Sequence, residues 1–168
     1  MTSLHTLIVT VEDRPGVLNR VASLFRRRGY NIESLTVGHT AESGVSRMTV
    51  VVDADDDTVA RLEANLYKLV NVLLVENLRD KGAVVRDLAL IKVRAGANER
   101  AQILQLLEVF RARAVDIGAD NLIVEIAAAP DKVDSLVAVL GSFGVLEMVR
   151  TGAVAMTRGA EMRLHAAA

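Results

Sequence analysis

Four groups of residues in this chain have types that could do chemistry. The first is its histidines, His5, His39 and His165, which lie far apart with no serine or carboxylate at a spacing that would build a proton relay. Surface or partly packed roles are expected for them. The second is the acidic run "DADDD", Asp53 to Asp57, which alternates carboxylates as a calcium loop does. Thr58 and Ala64, however, stand where such a loop needs Gly and Glu, so these acids are expected to cap the helix that follows them. The third is "RRR", Arg26 to Arg28, placed at the end of an amphipathic stretch where cations suit the negative end of a helix. A contact with an acidic partner protein is its alternative use.

The fourth group is the turn "EDRPG", Glu12 to Gly16, between an apolar β-branched run and an amphipathic one. A strand, a tight loop and a helix start present unpaired backbone N–H groups and a positive dipole end, which together attract an anion. Gly16 lacks a side chain, so a ligand could approach the main chain there. A plain helix start is the competing account, with Asp13 as cap, Pro15 at the first helical position and Gly16 as slack. No nucleophile elbow, Walker A loop, GxGxxG or HExxH occurs, and there is no cysteine for a thiolate site or a disulfide.

The elements that position these groups follow from periodicity. Leu4 to Val11 is predicted as a strand, and Val17, Leu18, Val21, Leu24 and Phe25 then recur at helical spacing up to a stop at Gly29. "YNIESLTVGHT" and "SRMTVVVDA" are two strands around the turn-forming "AESG". A second helix is predicted to turn Val59, Leu62, Leu66, Leu69 and Val70 inward, and "VLLVENL" is a fourth strand. The order is βαββαβ, and it recurs after "RDKGA". There "LALIKVRA" is a strand, and a helix from about Glu99 to Arg113 turns Ile103, Leu106, Leu107 and Phe110 inward. "AVDI" and "LIVEIAA" flank "GADN", a helix "DKVDSLVAVL" opens after Pro130, and "LEMVRTGAVAMT" is one closing strand. The expected fold class is therefore α+β, two tandem ferredoxin-like units spanning residues 1–79 and 80–168, with a frayed tail from Arg158. The second copy of the opening turn is "AGANE", without the Pro-Gly pair or flanking acids, so a ligand at this turn belongs to the first copy.

Composition narrows the function classes. The 168 residues are 51% hydrophobic and 24% charged, a globular balance, and a formal net charge of −1 gives no electrostatic reason to expect nucleic acid or an anionic membrane. Aromatic residues are 3%, and the strands "HTLIVTV" and "SRMTVVV" carry none on which RNA bases would stack. No basic-then-apolar leader and no apolar run of about 18 residues is present, which makes a cytoplasmic location the expectation.

"RRGYNIESLTVG", "SRMTVVV" and "LYKLVNVL", continued by "RDLALIKV", "FRARAVDI", "DKVDSL" and "VRTGAVAMTRG", closely resemble the small, regulatory subunit of acetohydroxyacid synthase, also called acetolactate synthase. The likeness runs over roughly residues 4 to 160. It implies that the first copy is an ACT domain, an amino-acid sensor, and that the chain has no catalytic site of its own. Its implied partner is a separate large subunit carrying thiamine diphosphate, FAD and magnesium, which it activates and subjects to feedback inhibition by branched-chain amino acids, chiefly valine. The resemblance further implies a homodimer paired through ACT domains. The effector would lie between Asp13, Gly16, Val17 and Leu18 of one chain and Asn31 and Ile32 of the other. Asn is frequent in the family where this chain has Asp13. An acid there favours the effector's ammonium and opposes its carboxylate. The alternatives are a stand-alone amino-acid sensor controlling another enzyme or transcription, and a small ferredoxin-like enzyme.

Overall fold

The structure, a computed structural model, describes residues 2–79 and 82–159. The expected fraying beyond residue 159, and with it His165, lies outside the described residues. The elements run β1 (Ser3–Glu12), α1 (Val17–Arg28), β2 (Ser34–His39), β3 (Val45–Ala54), α2 (Asp56–Leu66) and β4 (Val72–Asn77). They continue as β5 (Ala83–Arg94), α3 (Ala97–Phe110), β6 (Arg113–Ile117), β7 (Asn121–Ala128), α4 (Pro130–Gly141), β8 (Val145–Arg150) and β9 (Val154–Thr157). The chain forms two compact units, one comprising Val85–Val154 and the other the chain up to Val84 together with the segment from Ala155. Each is a βαββαβ unit with an antiparallel sheet, as the repeated pattern predicts.

In the first unit the strand order is β2-β3-β1-β4. Alternation on β1 sends Leu7, Val9 and Val11 to one face, where they meet Met48, Val50 and Val52 of β3 and Val17, Val21, Leu24 and Phe25 of α1. α1 stops at Gly29, which is left-handed at φ 71°, with the Tyr30 N–H closing back on the Phe25 carbonyl at 3.0 Å. α2 starts at Asp55, whose carboxylate accepts from the Thr58 N–H at 2.7 Å. That bond holds the Asp55 carboxyl below its ordinary pKa. A depressed carboxyl stabilises the fold above its unfolded pKa, and the contribution is lost as pH falls through the folded value. α2 ends at Leu66, four residues sooner than the apolar spacing suggests, so Val70 is 89% exposed instead of facing the core.

The second unit repeats this plan with order β6-β7-β5-β8. Ala89, Ile91 and Val93 of β5 pack with Leu122, Val124 and Ile126 of β7 under Ile103, Leu107, Val133, Leu136 and Leu140 of the helices. Both units place a register shift at the same point, between Thr10 and Val11 in β1 and between Lys92 and Val93 in β5. The predicted single closing strand is in fact two, β8 and β9, interrupted at residues 151–153. The Thr151 N–H bonds the Leu88 carbonyl at 2.9 Å, and its hydroxyl accepts from the Leu88 N–H at 3.0 Å.

Arg150 ties β8 to the rest of its unit. Its Nε donates to Asp87 Oδ2 at 2.8 Å, its Nη1 to Asp134 Oδ1 at 2.5 Å and its Nη2 to the Pro130 carbonyl at 3.2 Å. Burial alone would lower the guanidinium pKa, but the bonds to Asp134 and Asp87 outweigh it and raise the value. The two acids differ in solvation, Asp87 having 8% of its side chain exposed and Asp134 64%. Removing a buried partner strands the other charge, whereas an exposed one is screened. Urea unfolding of the full chain is therefore expected to show a loss of about 2–3 kcal/mol for Asp87→Ala and under about 1 kcal/mol for Asp134→Ala.

Candidate effector site

The turn between β1 and α1 is four residues long, Asp13 to Gly16, against two, Ala95 and Gly96, between β5 and α3. Its left-handed residue is Gly16, at φ 83°, which serves as N-cap without any side-chain hydrogen bond. Pro15 thus lies in the turn ahead of the helix, not at its first position, and Asp13 does not cap. The Asp13 N–H instead bonds the Gly44 carbonyl at 2.8 Å, while its carboxylate meets His39 Nδ1 at 3.2 Å. The Val17 N–H makes a long bond of 3.3 Å to the Arg14 carbonyl. Among the described residues no protein acceptor meets the N–H groups of Gly16, Leu18 or Asn19.

Sequence reasoning missed the brace that holds this turn. Asn71, a buried polar residue, accepts the Glu12 N–H on its carbonyl at 2.9 Å. Its side chain donates to Glu12 Oε2 at 2.7 Å and accepts from Arg20 Nη1 at 2.6 Å. One amide therefore links the end of β1 to the first turn of α1. Asn71 falls just before a strand in an apolar run, where nothing local marks it as different from a loop asparagine.

The second unit shows what closes such a turn. There the Glu99 carboxylate, three residues into α3, accepts from the Gly96 N–H at 3.0 Å. A carboxylate of the chain itself thus occupies the anion position at that helix start. α1 carries no acid in its first turn, and Asn19 stands where α3 has Glu99. The two repeats differ in this one function of the turn: one is filled and the other is open.

The six expected positions fall into two sets. Asp13, Gly16, Val17 and Leu18 lie at the leading end of α1, and Asn31 and Ile32 beyond its trailing end. A helix of 12 residues spans about 18 Å, so a single chain does not bring the sets together. The Val17 side chain is 4% exposed and lies in the core, leaving only its main chain for a ligand. Leu18 is 44% exposed, and Ile32 is half-buried beside the core. The Asn31 amide donates to the Glu33 carboxylate, which leaves its oxygen outward-facing as an acceptor. β2 connects the two sets, for it starts beside Ile32 and ends at His39, on Asp13.

A second polar cluster lies elsewhere in the first unit. His5, expected at the surface or partly packed, is 1% exposed. Its Nε2 lies 3.2 Å from Ser3 Oγ, 3.3 Å from Arg79 Nη1 and 3.5 Å from Asp56 Oδ1, and Arg79 forms an ion pair with Asp56. An open depression of about 370 Å³ beside it is lined by Asp56, Ala60, Glu63, Asn77 and Arg79. These groups satisfy one another and fasten the end of the first unit to the start of α2. The acidic run takes the expected capping role, with Asp55 as N-cap and Asp56 and Asp57 in the first turn. No group of three or more His, Cys, Asp or Glu side chains fit to hold a metal occurs among the described residues. No helix among them is long and apolar enough to cross a membrane.

A duplicated ferredoxin-like fold whose first unit keeps an open, braced helix start defines an ACT-type regulatory protein. Comparison with known proteins agrees at both ends of the chain. A family described as "AHAS small subunit-like ACT domain" matches residues 7–74, and one described as "Small subunit of acetolactate synthase" matches residues 86–159. The acetolactate synthase small subunit of Mycolicibacterium smegmatis is 45% identical over 158 residues, covering 94% of this chain and 93% of that one. That of Mycobacterium leprae is 47% identical over 155 residues, covering 92% of each. The crystal structure of the acetolactate synthase small subunit from Thermotoga maritima superposes with a TM-score of 0.86 at 40% identity, over 94% of this chain and 99% of that one. The chain belongs to the acetolactate synthase small subunits, the regulatory and non-catalytic chains of that enzyme.

The geometry of Gly16 gives a direct check on the turn. A Cβ built there meets nothing within 4 Å, so the obstacle to a side chain is the left-handed backbone and not crowding. Gly16→Ala is expected to cost about 1–2 kcal/mol in urea unfolding, and Gly16→Asn clearly less, because asparagine tolerates that region.

Proposed function

We propose that this chain binds a free branched-chain amino acid, valine foremost, between the ACT domains of two copies, and through that site controls a separate catalytic subunit. The observation that carries the reading is the contrast between the two helix starts: the Gly16 turn lacks the acceptor that Glu99 supplies to its counterpart. An α-carboxylate is an acceptor of the same kind, and charge-assisted bonds from main-chain N–H groups are the stronger ones. Its ammonium is taken by the Asp13 carboxylate, with the Asn31 oxygen of the other chain as a second acceptor. Leu18 of one chain and Ile32 of the other flank the aliphatic side chain.

The way two copies would assemble such a site follows from β2. It is an edge strand of the first sheet, six residues long and without Pro or Lys to discourage pairing. Antiparallel pairing of β2 with its own copy across a twofold axis sets the start of one strand against the end of the other. Six residues cover about 20 Å, which is close to the length of α1. Ile32 of one chain thereby approaches the Asp13 to Gly16 turn of its partner, and the two half-sites meet twice per dimer.

Regulation is then a shift between arrangements of the paired chains. Effector favours the arrangement that activates the catalytic subunit less well, and it can do so only by its difference in affinity for the two. The catalytic subunit, with its thiamine diphosphate, FAD and magnesium, carries the condensation of pyruvate with a second 2-oxo acid; this chain supplies no reacting group. A cytoplasmic location fits such a biosynthetic role.

The test is calorimetric titration of the full chain with valine, leucine and isoleucine, followed by acetolactate assays with and without the catalytic subunit. The chain alone is expected to form no acetolactate. Gly16→Asp is expected to lose valine binding at least tenfold, because its carboxylate fills the anion position. Valine binding by Gly16→Asp at the strength of the unsubstituted chain would overturn the site.

A further inference from the structure

His39 sits at the end of β2, eight residues beyond Asn31, and its Nδ1 lies 3.2 Å from Asp13 Oδ2 across the turn. The ring is 82% exposed and the carboxylate 45%, so both reach solvent, and both lie where the turn opens. The other charged groups nearby have other partners. Arg14 pairs with Glu12 at 3.1 Å, Arg20 is held by Asn71, and Arg47 of β3 donates to the Ala155 carbonyl at 3.0 Å. Opposite His39 on β3 stands Ser46, and Glu42 of the β2–β3 turn is the nearest acid along the chain. Among the described residues His39 is therefore the side-chain partner of the Asp13 carboxylate.

We infer that His39 is the positioning residue for the Asp13 carboxylate in effector binding, and that protonation of its ring weakens the hold on the effector's ammonium. The inference rests on the effector reading above and adds a residue and a proton to it. With a neutral ring, Nδ1–H donates to Asp13 Oδ2, a tautomer set by the acceptor that faces it, and Oδ1 remains for the ammonium. The carboxylate keeps its negative charge. When the ring takes a proton, the pair becomes neutral overall, and the ammonium approaches a cation as well as an anion. A free amino acid stays zwitterionic across this range, so the change arises on the protein. Affinity is therefore expected to be higher at about pH 8 than at about pH 5.5. Charges roughly 5 Å apart in near-aqueous surroundings give about a fourfold effect.

Calorimetric titration of the full chain with valine, leucine and isoleucine at both pH values tests this, using the unsubstituted protein, His39→Gln and Asp13→Asn. The unsubstituted chain should bind about four times more tightly at the higher pH. His39→Gln should bind with little pH dependence, at the strength of the unsubstituted chain's high-pH state, since it keeps an amide donor without the charge. Asp13→Asn should bind more weakly at both pH values, and adding His39→Gln to it should remove the pH dependence that remains. The His39 ring carbon resonance should move when effector is added, a response that a merely structural histidine would not show. A slope that survives His39→Gln, or binding that is equally tight at both pH values, overturns the role of His39 while leaving the effector site standing. Failure of all three amino acids to bind at either pH removes the effector site itself, and this role with it.

Discussion

The first turn of a helix cannot satisfy its own N–H groups, and this chain meets that constraint in two ways within one repeated fold. α3 solves it internally, with Glu99 folded back onto Gly96. α1 leaves it open, with no acid in its first turn, a left-handed glycine as cap and a turn two residues longer. An unpaired main-chain donor that stays in water costs little, but it stays useful only if the turn cannot collapse onto it. Asn71 prevents that collapse by bonding Glu12 on one side and Arg20 on the other. The apolar faces of α1 and β1 then hold the brace itself in place, since Val11, Val17 and Val21 all lie in the same core. The repeated plan thus has two outcomes, set by the residue at the third helical position together with the length of the turn and the conformation of its capping glycine.

Much of this was legible in the residues. Helical and strand periods alone gave the βαββαβ order twice, because each unit has a continuous core whose inward positions are Val, Leu and Ile at regular spacing. The open turn was visible as an Asp-Arg-Pro-Gly string absent from the second copy. What escaped was decided by tertiary geometry. Val70 continues a helical pattern in sequence, yet the chain must turn into β4, and the helix stops at Leu66. The string "LEMVRTGAVAMT" has no Pro or charge run to announce a break, yet Thr151 bonds Leu88 with both its main chain and its side chain and ends the first ladder. Pro15 suits a first helical position equally well in isolation; the φ of 83° at Gly16 pushed the helix start two residues on. His5 was unreadable for a different reason, since its partners Asp56 and Arg79 are more than fifty residues away.

The candidate site was legible as a list of positions but not as a geometry. The six residues carried over from the resemblance were expected in two sets from two chains, and within one chain α1 holds those sets at its opposite ends. Val17 is the instructive case. Its side chain belongs to the core, so only its amide is open to the proposed site, and the apolar selectivity of that site would rest on Leu18 and Ile32. Each buried CH₂ is worth about 0.8 kcal/mol. In the proposed site, two flanking side chains would separate valine from alanine by roughly tenfold but would do little to separate valine from leucine, which adds one CH₂.

A site divided in this way bears on how a regulatory chain can signal. Were both halves in one unit, effector binding would tighten that unit alone and would need a further structural link to reach a second protein. With the halves in different chains, as proposed, the binding energy would be stored in the relation between the chains, and any surface that reads that relation would read the effector. β2 would suit this proposed role because a hydrogen-bonded edge fixes register: a one-residue slip would turn every side chain to the opposite face and move Ile32 away from the turn it is proposed to meet. The pairing that completes the site and the pairing that a catalytic partner would sense are then one geometric variable, and the effector needs no other path through the protein.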